Sequence, residues 1–201
     1  QSIIMSLVAT IFNTRIKFVA AITGLGSIFL DKSLKANIIK LLITLLLIIG
    51  LKKKNVRVIV QNKDDLKFIK KYFLCPLNKI EIIRGSGIDI NFYNFQREPS
   101  YPPINITYVG RLIEDKGIES IIEAFEIAYK KNDQIKLLLV GGLDNKNIRP
   151  ISKKYIEERI HNNKSIKYLG EIEDIRKIWK KSHIAILASK REGLPKSLLE
   201  A

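Results

Sequence analysis

The last eleven residues, Arg191-Glu192-Gly193-Leu194-Pro195-Lys196-Ser197-Leu198-Leu199-Glu200-Ala201, set two carboxylates eight positions apart around a helix start. Pro195 suits the first turn of a helix, because its ring fixes φ near the helical value and its missing N–H would have had no partner there. Glu192 then falls in the loop ahead of that helix, and Gly193 permits the turn into it. The free N–H groups of a first helical turn, with the positive end of the helix dipole, favour an anion such as phosphate. Glu200 lies about five residues into the helix, roughly 7.5 Å along its axis at about 1.5 Å per residue. The two acids bracket a diphosphate position, where each could accept hydrogen bonds from sugar hydroxyls. Spacing alone equally describes two surface glutamates near a helix end.

A second constellation follows a strand. Ile104 to Val109 is an apolar run rich in β-branched residues, and it leads into Gly110-Arg111-Leu112-Ile113-Glu114-Asp115-Lys116-Gly117 and then a helical pattern. Arg111 offers a planar fork of donors and Lys116 a mobile point charge. Those two chemistries suit a leaving diphosphate that must be held while its charge grows. Gly110 and Gly117 let the backbone approach closely. A solvated loop with incidental charges has the same composition.

Taken together and in this order, the motifs resemble the retaining glycosyltransferases of family 4. The resemblance runs through Gly110-Arg111-Leu112 to Lys116-Gly117, then Leu138-Leu139-Val140-Gly141-Gly142, Tyr168-Leu169-Gly170, and Glu192-Gly193-Leu194-Pro195 to Glu200-Ala201. It implies an α/β fold of GT-B type, two Rossmann-like parallel-sheet domains, both incomplete in this chain. It also implies metal-independent transfer of a hexose or N-acetylhexosamine, with retention, in cell-surface polysaccharide synthesis. The donor would be a nucleoside diphosphate sugar, UDP-linked, serving as substrate rather than cofactor. On this resemblance Glu192, Arg111 and Lys116 form the catalytic set, Glu192 contacting the donor sugar. Gly110, Gly193, Leu194, Pro195 and Glu200 would bind the donor, Glu200 at the ribose hydroxyls. Lys190 and Arg191 depart from the pattern, since many members carry an aromatic or small residue ahead of the first glutamate.

In the first half, Ile22-Thr23-Gly24-Leu25-Gly26-Ser27-Ile28-Phe29, Val60-Gln61-Asn62-Lys63-Asp64-Asp65 and Gly85-Ser86-Gly87-Ile88-Asp89 resemble stretches of bacterial members that add sugars to a polyprenyl-diphosphate-linked acceptor. Gly24 and Gly26 would then form a tight acceptor-side loop; a plain turn after a strand is the alternative. Asn62 and Asp64 equally suit the start of a helix. The family's glycine-rich loop at the start of the acceptor domain has no counterpart that can be located.

Elements alternate as these sites require. Strands are expected at Lys17–Ile22, Val56–Gln61, Lys79–Ile83, Ile104–Val109, Ile135–Val140, Ile166–Leu169 and His183–Leu187. Helices are expected at Ser33–Leu51, Asp64–Phe73, Gly117–Lys130, Ile151–Ile160, Ile172–Lys181 and after Pro195. Such alternation predicts parallel sheets whose ligands lie beyond the carboxyl ends of the strands. Residues 91–103 lack an apolar period and hold Pro99, Pro102 and Pro103. They read as a linker between an acceptor-side domain, 1–90, and a nucleotide-sugar-binding domain, 104–201. The start at Gln1 and the stop at Ala201, inside a helical pattern, read as a fragment.

Charge is uneven. The net charge is +15, and residues 1–103 carry 16 Lys and Arg against 6 acids, whereas residues 104–201 carry 19 against 14. Ile38 to Leu51 is apolar almost all round and is closed by Lys52-Lys53-Lys54, with Gly50 as a stop signal. A buried core helix, a helix lying in a membrane interface and a short span all fit that pattern. The basic excess suits an anionic membrane, which places the protein in the cytoplasm, peripheral at the inner face of the plasma membrane. No nucleic-acid motif is present and the lysines do not interleave with aromatics, so nucleic acid is excluded as a partner. Cys75 is the only cysteine, and His161 and His183 stand far apart, so neither an intramolecular disulfide nor a metal site is expected. A GT-B sugar-nucleotide epimerase and a non-catalytic peripheral membrane protein are the rival readings.

Overall fold

The computed structural model describes residues 17–22, 33–145, 147, 149–189 and 192–201. Gly24 and Gly26 lie outside the described residues, as do Lys190 and Arg191. Contacts divide the chain into two compact units, Gln1–Ser86 and Gly87–Ala201.

In the first unit, β1 (Phe18–Ile22), α1 (Leu34–Leu51), β2 (Val56–Val60), α2 (Lys63–Phe73) and β3 (Ile80–Ile82) build a parallel sheet in the order β1-β2-β3. Val56, Val58 and Val60 are wholly buried, as befits a central parallel strand covered by helices. Leu47 and Leu51 of α1, with Ile69 and Phe73 of α2, complete that core. Asn62 is the N-cap of α2: its Oδ1 accepts from the Asp65 N–H at 2.7 Å, and its Nδ2 donates to the Asp65 carboxylate at 2.9 Å. The other side of α1 presents Ile38, Leu41, Leu42, Leu45 and Ile49 to solvent. Gly50 is helical, not the stop residue that sequence suggested. The chain turns at Lys52 and Lys53, whose carbonyls each accept from Lys79 Nζ at 2.8 Å, a cation at a helix carboxyl end. Among the described residues no helix is long and apolar enough to cross a membrane.

The second unit runs β4 (Ile104–Val109), α3 (Ile118–Tyr129), β5 (Ile135–Val140), α4 (Lys153–Asn162), β6 (Ile166–Gly170), α5 (Arg176–Trp179), β7 (Ile184–Ala185) and α6 (Lys196–Glu200). Its parallel sheet has the order β6-β5-β4-β7. The chain steps outward from β4 to β6, then returns to pair β7 on the far side of β4. The strand order thus reverses between β4 and β7, and the crevice at the carboxyl end of such a switch point is where open α/β sheets bind ligands. Ile118, Ile121, Ile122 and Phe125 bury one face of α3 against Leu137 and Leu139 of β5 and Tyr108 of β4. Residues 91–103 belong by their contacts to this unit.

Two expected elements are cut short. The helix anticipated over 172–181 is only Arg176–Trp179. The Asp174 carboxylate accepts from the Arg176 backbone N–H at 3.3 Å and from its guanidinium at 2.8 and 3.0 Å, a local turn just ahead of the helix that competes with its backward extension. The strand anticipated over 183–187 pairs only at Ile184–Ala185. His183 sits at its start, where Nδ1 accepts from the Asn105 N–H at 3.0 Å. Pro195 bounds α6 with extended ψ of 107° and does not enter its first turn.

Candidate functional site

The loop leaving β4, residues 110–117, and the chain leaving β7 meet at the crevice. Gly117 marks the contact: its φ is +71°, and a Cβ there would lie 2.3 Å from the Ala188 carbonyl oxygen. Only glycine allows both the left-handed turn and that approach. The close contact brings together two side chains 76 positions apart, Lys116 and Glu192, whose Nζ and Oε1 form an ion pair. Both are about three-quarters buried, at 26% and 25% side-chain exposure, so solvent screens the pair less than a surface bridge.

Tyr108 lies beneath, wholly buried, and its hydroxyl donates to the Arg111 carbonyl at 2.9 Å. Burial first, then the Glu192 carboxylate, pushes its ionisation far above the ordinary value of 10.0, against the opposing pull of Arg111. It is a neutral donor that fixes the path of the cationic loop. The Arg111 side chain itself is 62% exposed, and its Nη1 lies 2.9 Å from the Asp144 carboxylate. Asp144 belongs to the loop after β5, which is drawn against the first loop because Gly141 has no Cβ; one there would lie 2.0 Å from the Gly110 carbonyl oxygen.

The second acid of the terminal segment has other neighbours. Glu200 lies near Tyr93: burial first, then the charge of that carboxylate, raises the tyrosine's pKa. Both residues line a concavity of about 950 Å³ with Arg176, Trp179 and His183. Glu192 thus sits with Lys116 at the switch point, Glu200 with Tyr93, and Gly193, Leu194 and Pro195, all half-buried, span the turn between. Sequence reasoning did not flag Tyr93, Tyr108 or Asp144. Tyr108 ends an apolar run and reads as core; Asp144 follows Gly141-Gly142, and its place in a loop after a parallel strand is the signal that could have found it.

Residues 90–201 match the family of glycosyl transferases group 1. The chain belongs to that family. The motif resemblance is borne out, and so is the α/β fold with parallel sheets, whose structural neighbours are GT-B glycosyltransferases. One relative, the N,N'-diacetylbacillosaminyl-diphospho-undecaprenol alpha-1,3-N-acetylgalactosaminyltransferase of Campylobacter jejuni, is 28% identical over 90% of this chain and 49% of its own length. The capsular polysaccharide biosynthesis glycosyltransferase CapM of Staphylococcus aureus is 28% identical over 64% of this chain and 36% of its own. The chain spans no more than about half the length of these relatives. Among solved structures, Anabaena Alr3699/HepE in complex with UDP and glucose superposes with a TM-score of 0.65 at 16% identity, covering 95% of this chain and 51% of that one. A glycosyltransferase from Rickettsia africae gives 0.63 at 21% identity, covering 92% and 48%.

Proposed function

We propose that this chain carries the donor site of a retaining glycosyltransferase that moves a hexose or N-acetylhexosamine from a UDP-linked sugar to a glycan or polyprenyl-diphosphate acceptor in cell-surface polysaccharide synthesis. The observation that carries this reading is the meeting of Lys116 and Glu192 at the switch point of the second sheet. A cation and an acid placed there can serve the two halves of a sugar nucleotide: Lys116 and Arg111 take the diphosphate, and Glu192, released from Lys116, accepts from hydroxyls of the sugar. As the anomeric C–O bond breaks, negative charge builds on the terminal phosphate. Cations fixed beforehand stabilise that charge without reorganising. Glu200, beside Tyr93, accepts from the ribose hydroxyls, and Gly110, Gly193, Leu194 and Pro195 shape the backbone against the donor.

The undecaprenol-linked substrate in the Campylobacter relative's name supports a lipid-linked acceptor. The basic first half and the exposed apolar side of α1 support placement of the acceptor-side region, residues 1–90 with Gly24 and Gly26, at the anionic inner face of the plasma membrane. Residues 91–103 act as the linker and 104–201 as the donor domain in this reading.

The test is a panel of nucleoside diphosphate sugars incubated with the intact enzyme and a polyprenyl-diphosphate-linked glycan. Transfer with the anomeric configuration kept is the expected product by NMR. Arg111→Ala is expected to lower kcat/KM for the donor by about 100-fold. Donor turnover unchanged by Arg111→Ala and by Lys116→Ala refutes the reading, as does isomerised sugar nucleotide formed without an acceptor.

A further inference from the structure

The two loops at the carboxyl ends of β4 and β5 are joined by a reciprocal set of contacts. Arg111 of the first pairs with Asp144 of the second at 2.9 Å, and Arg149 of the second pairs with Asp115 of the first at 3.2 Å. Backbone contacts run between them. The Leu112 N–H donates to the Gly142 carbonyl at 2.9 Å, the Glu114 N–H to the Arg149 carbonyl at 3.2 Å, and Ile113 forms a bridge with Pro150. Asp115 and Lys116 are neighbours, so one pair sets the guanidinium and the other sits beside the ammonium.

From this arrangement we infer that Asp144 is a positioning residue for the donor diphosphate, acting through Arg111. The inference rests on the diphosphate role proposed for Arg111. A guanidinium that is 62% exposed has many rotamers open to it, and a phosphate ligand must select one. Asp144 engages only Nη1, which leaves the remaining N–H donors of the fork available to phosphate oxygens. The acid does not simply compete for the cation. It is itself held on a loop whose backbone is bonded to the Arg111 loop, so guanidinium and diphosphate site keep a fixed relation. Ion pairing at this exposure adds little to folding stability, so the pair's effect belongs in ligand affinity.

The experiment is calorimetric titration of the full chain with UDP, on the wild type, Asp144→Ala, Arg111→Ala and the double variant, with thermal unfolding of each. Asp144→Ala is expected to weaken UDP by about tenfold while leaving Tm nearly unchanged, because misplacing a binding group costs affinity even where no contact to ligand is lost. In the Arg111→Ala background the same change is expected to do nothing, and Asp144→Glu to recover part of the affinity. Equal losses in both backgrounds would mean a general structural role and overturn the inference. Unchanged or tighter UDP binding by Asp144→Ala, with Arg111→Ala still impaired, overturns it too and leaves the donor reading standing. If Arg111→Ala binds UDP as the wild type does, the donor reading fails first.

Discussion

Tyr108 carries more of the site than its type suggests. Its hydroxyl is the donor that fixes the Arg111 carbonyl, and its ring fills the core under the ion pair. Tyr108→Phe removes that donor and leaves the Arg111 carbonyl with only the Ile113 N–H at 3.1 Å, so a loss of about 1 kcal/mol in urea unfolding is expected. The tyrosine also titrates in a direction that can be worked out. Its folded pKa is raised above the ordinary 10.0, so in strong alkali the unfolded chain gives up this proton first. Stability from the neutral hydroxyl is complete below about pH 10 and falls above it, by up to about 1.4 kcal/mol per pH unit. Tyr108→Phe is expected to flatten that alkaline decline; an unchanged slope contradicts the buried-donor account. At this scale residue type and motif pointed to Lys116 and Glu192, which the fold sets in contact. Asp144 was not legible, because a single acid in a loop has no period, and its partner lies 33 residues away.

Elements position these residues through their ends. The loop after β4 can touch the chain after β7 only because Gly117 turns left-handed against Ala188. Gly117→Ala adds a Cβ in both a strained conformation and an occupied space, so destabilisation of roughly 1–3 kcal/mol with loss of UDP affinity is expected from denaturation and titration. Wild-type values for both would remove the contact from the account. The spans of β4 and β5 follow from apolar runs bounded by glycine and polar residues, and the structure matches them residue for residue. Helix α5 is shorter than its apolar spacing implied, and the Asp174 side chain, taking the donors of Arg176, competes with its backward extension. Such a local side-chain bond leaves the hydrophobic period untouched and so leaves no trace in the pattern.

Across the whole molecule, the pairing that matters is the least local. That β7 returns beside β4, and not beside β6, decides where the crevice opens, and no short-range pattern encodes a pairing of Ile106 with Ile184. Each unit has its own buried cluster and its own sheet, with Tyr108, Leu137 and Ile166 in one and Val58, Ile69 and Phe73 in the other. Residues 87–201 expressed alone are therefore expected to unfold in one cooperative transition and to bind UDP within about threefold of the full chain, by calorimetry. Failure to fold would mean that the donor unit depends on the other for its core. The most direct measurement is a crystal structure of the chain with UDP. The account predicts the diphosphate at the carboxyl ends of β4 and β7, with phosphate oxygens about 3 Å from Lys116 Nζ and the Arg111 guanidinium and Glu192 released from Lys116. A diphosphate bound instead in the concavity beside Tyr93 and Arg176, with the Lys116–Glu192 pair intact, would contradict it.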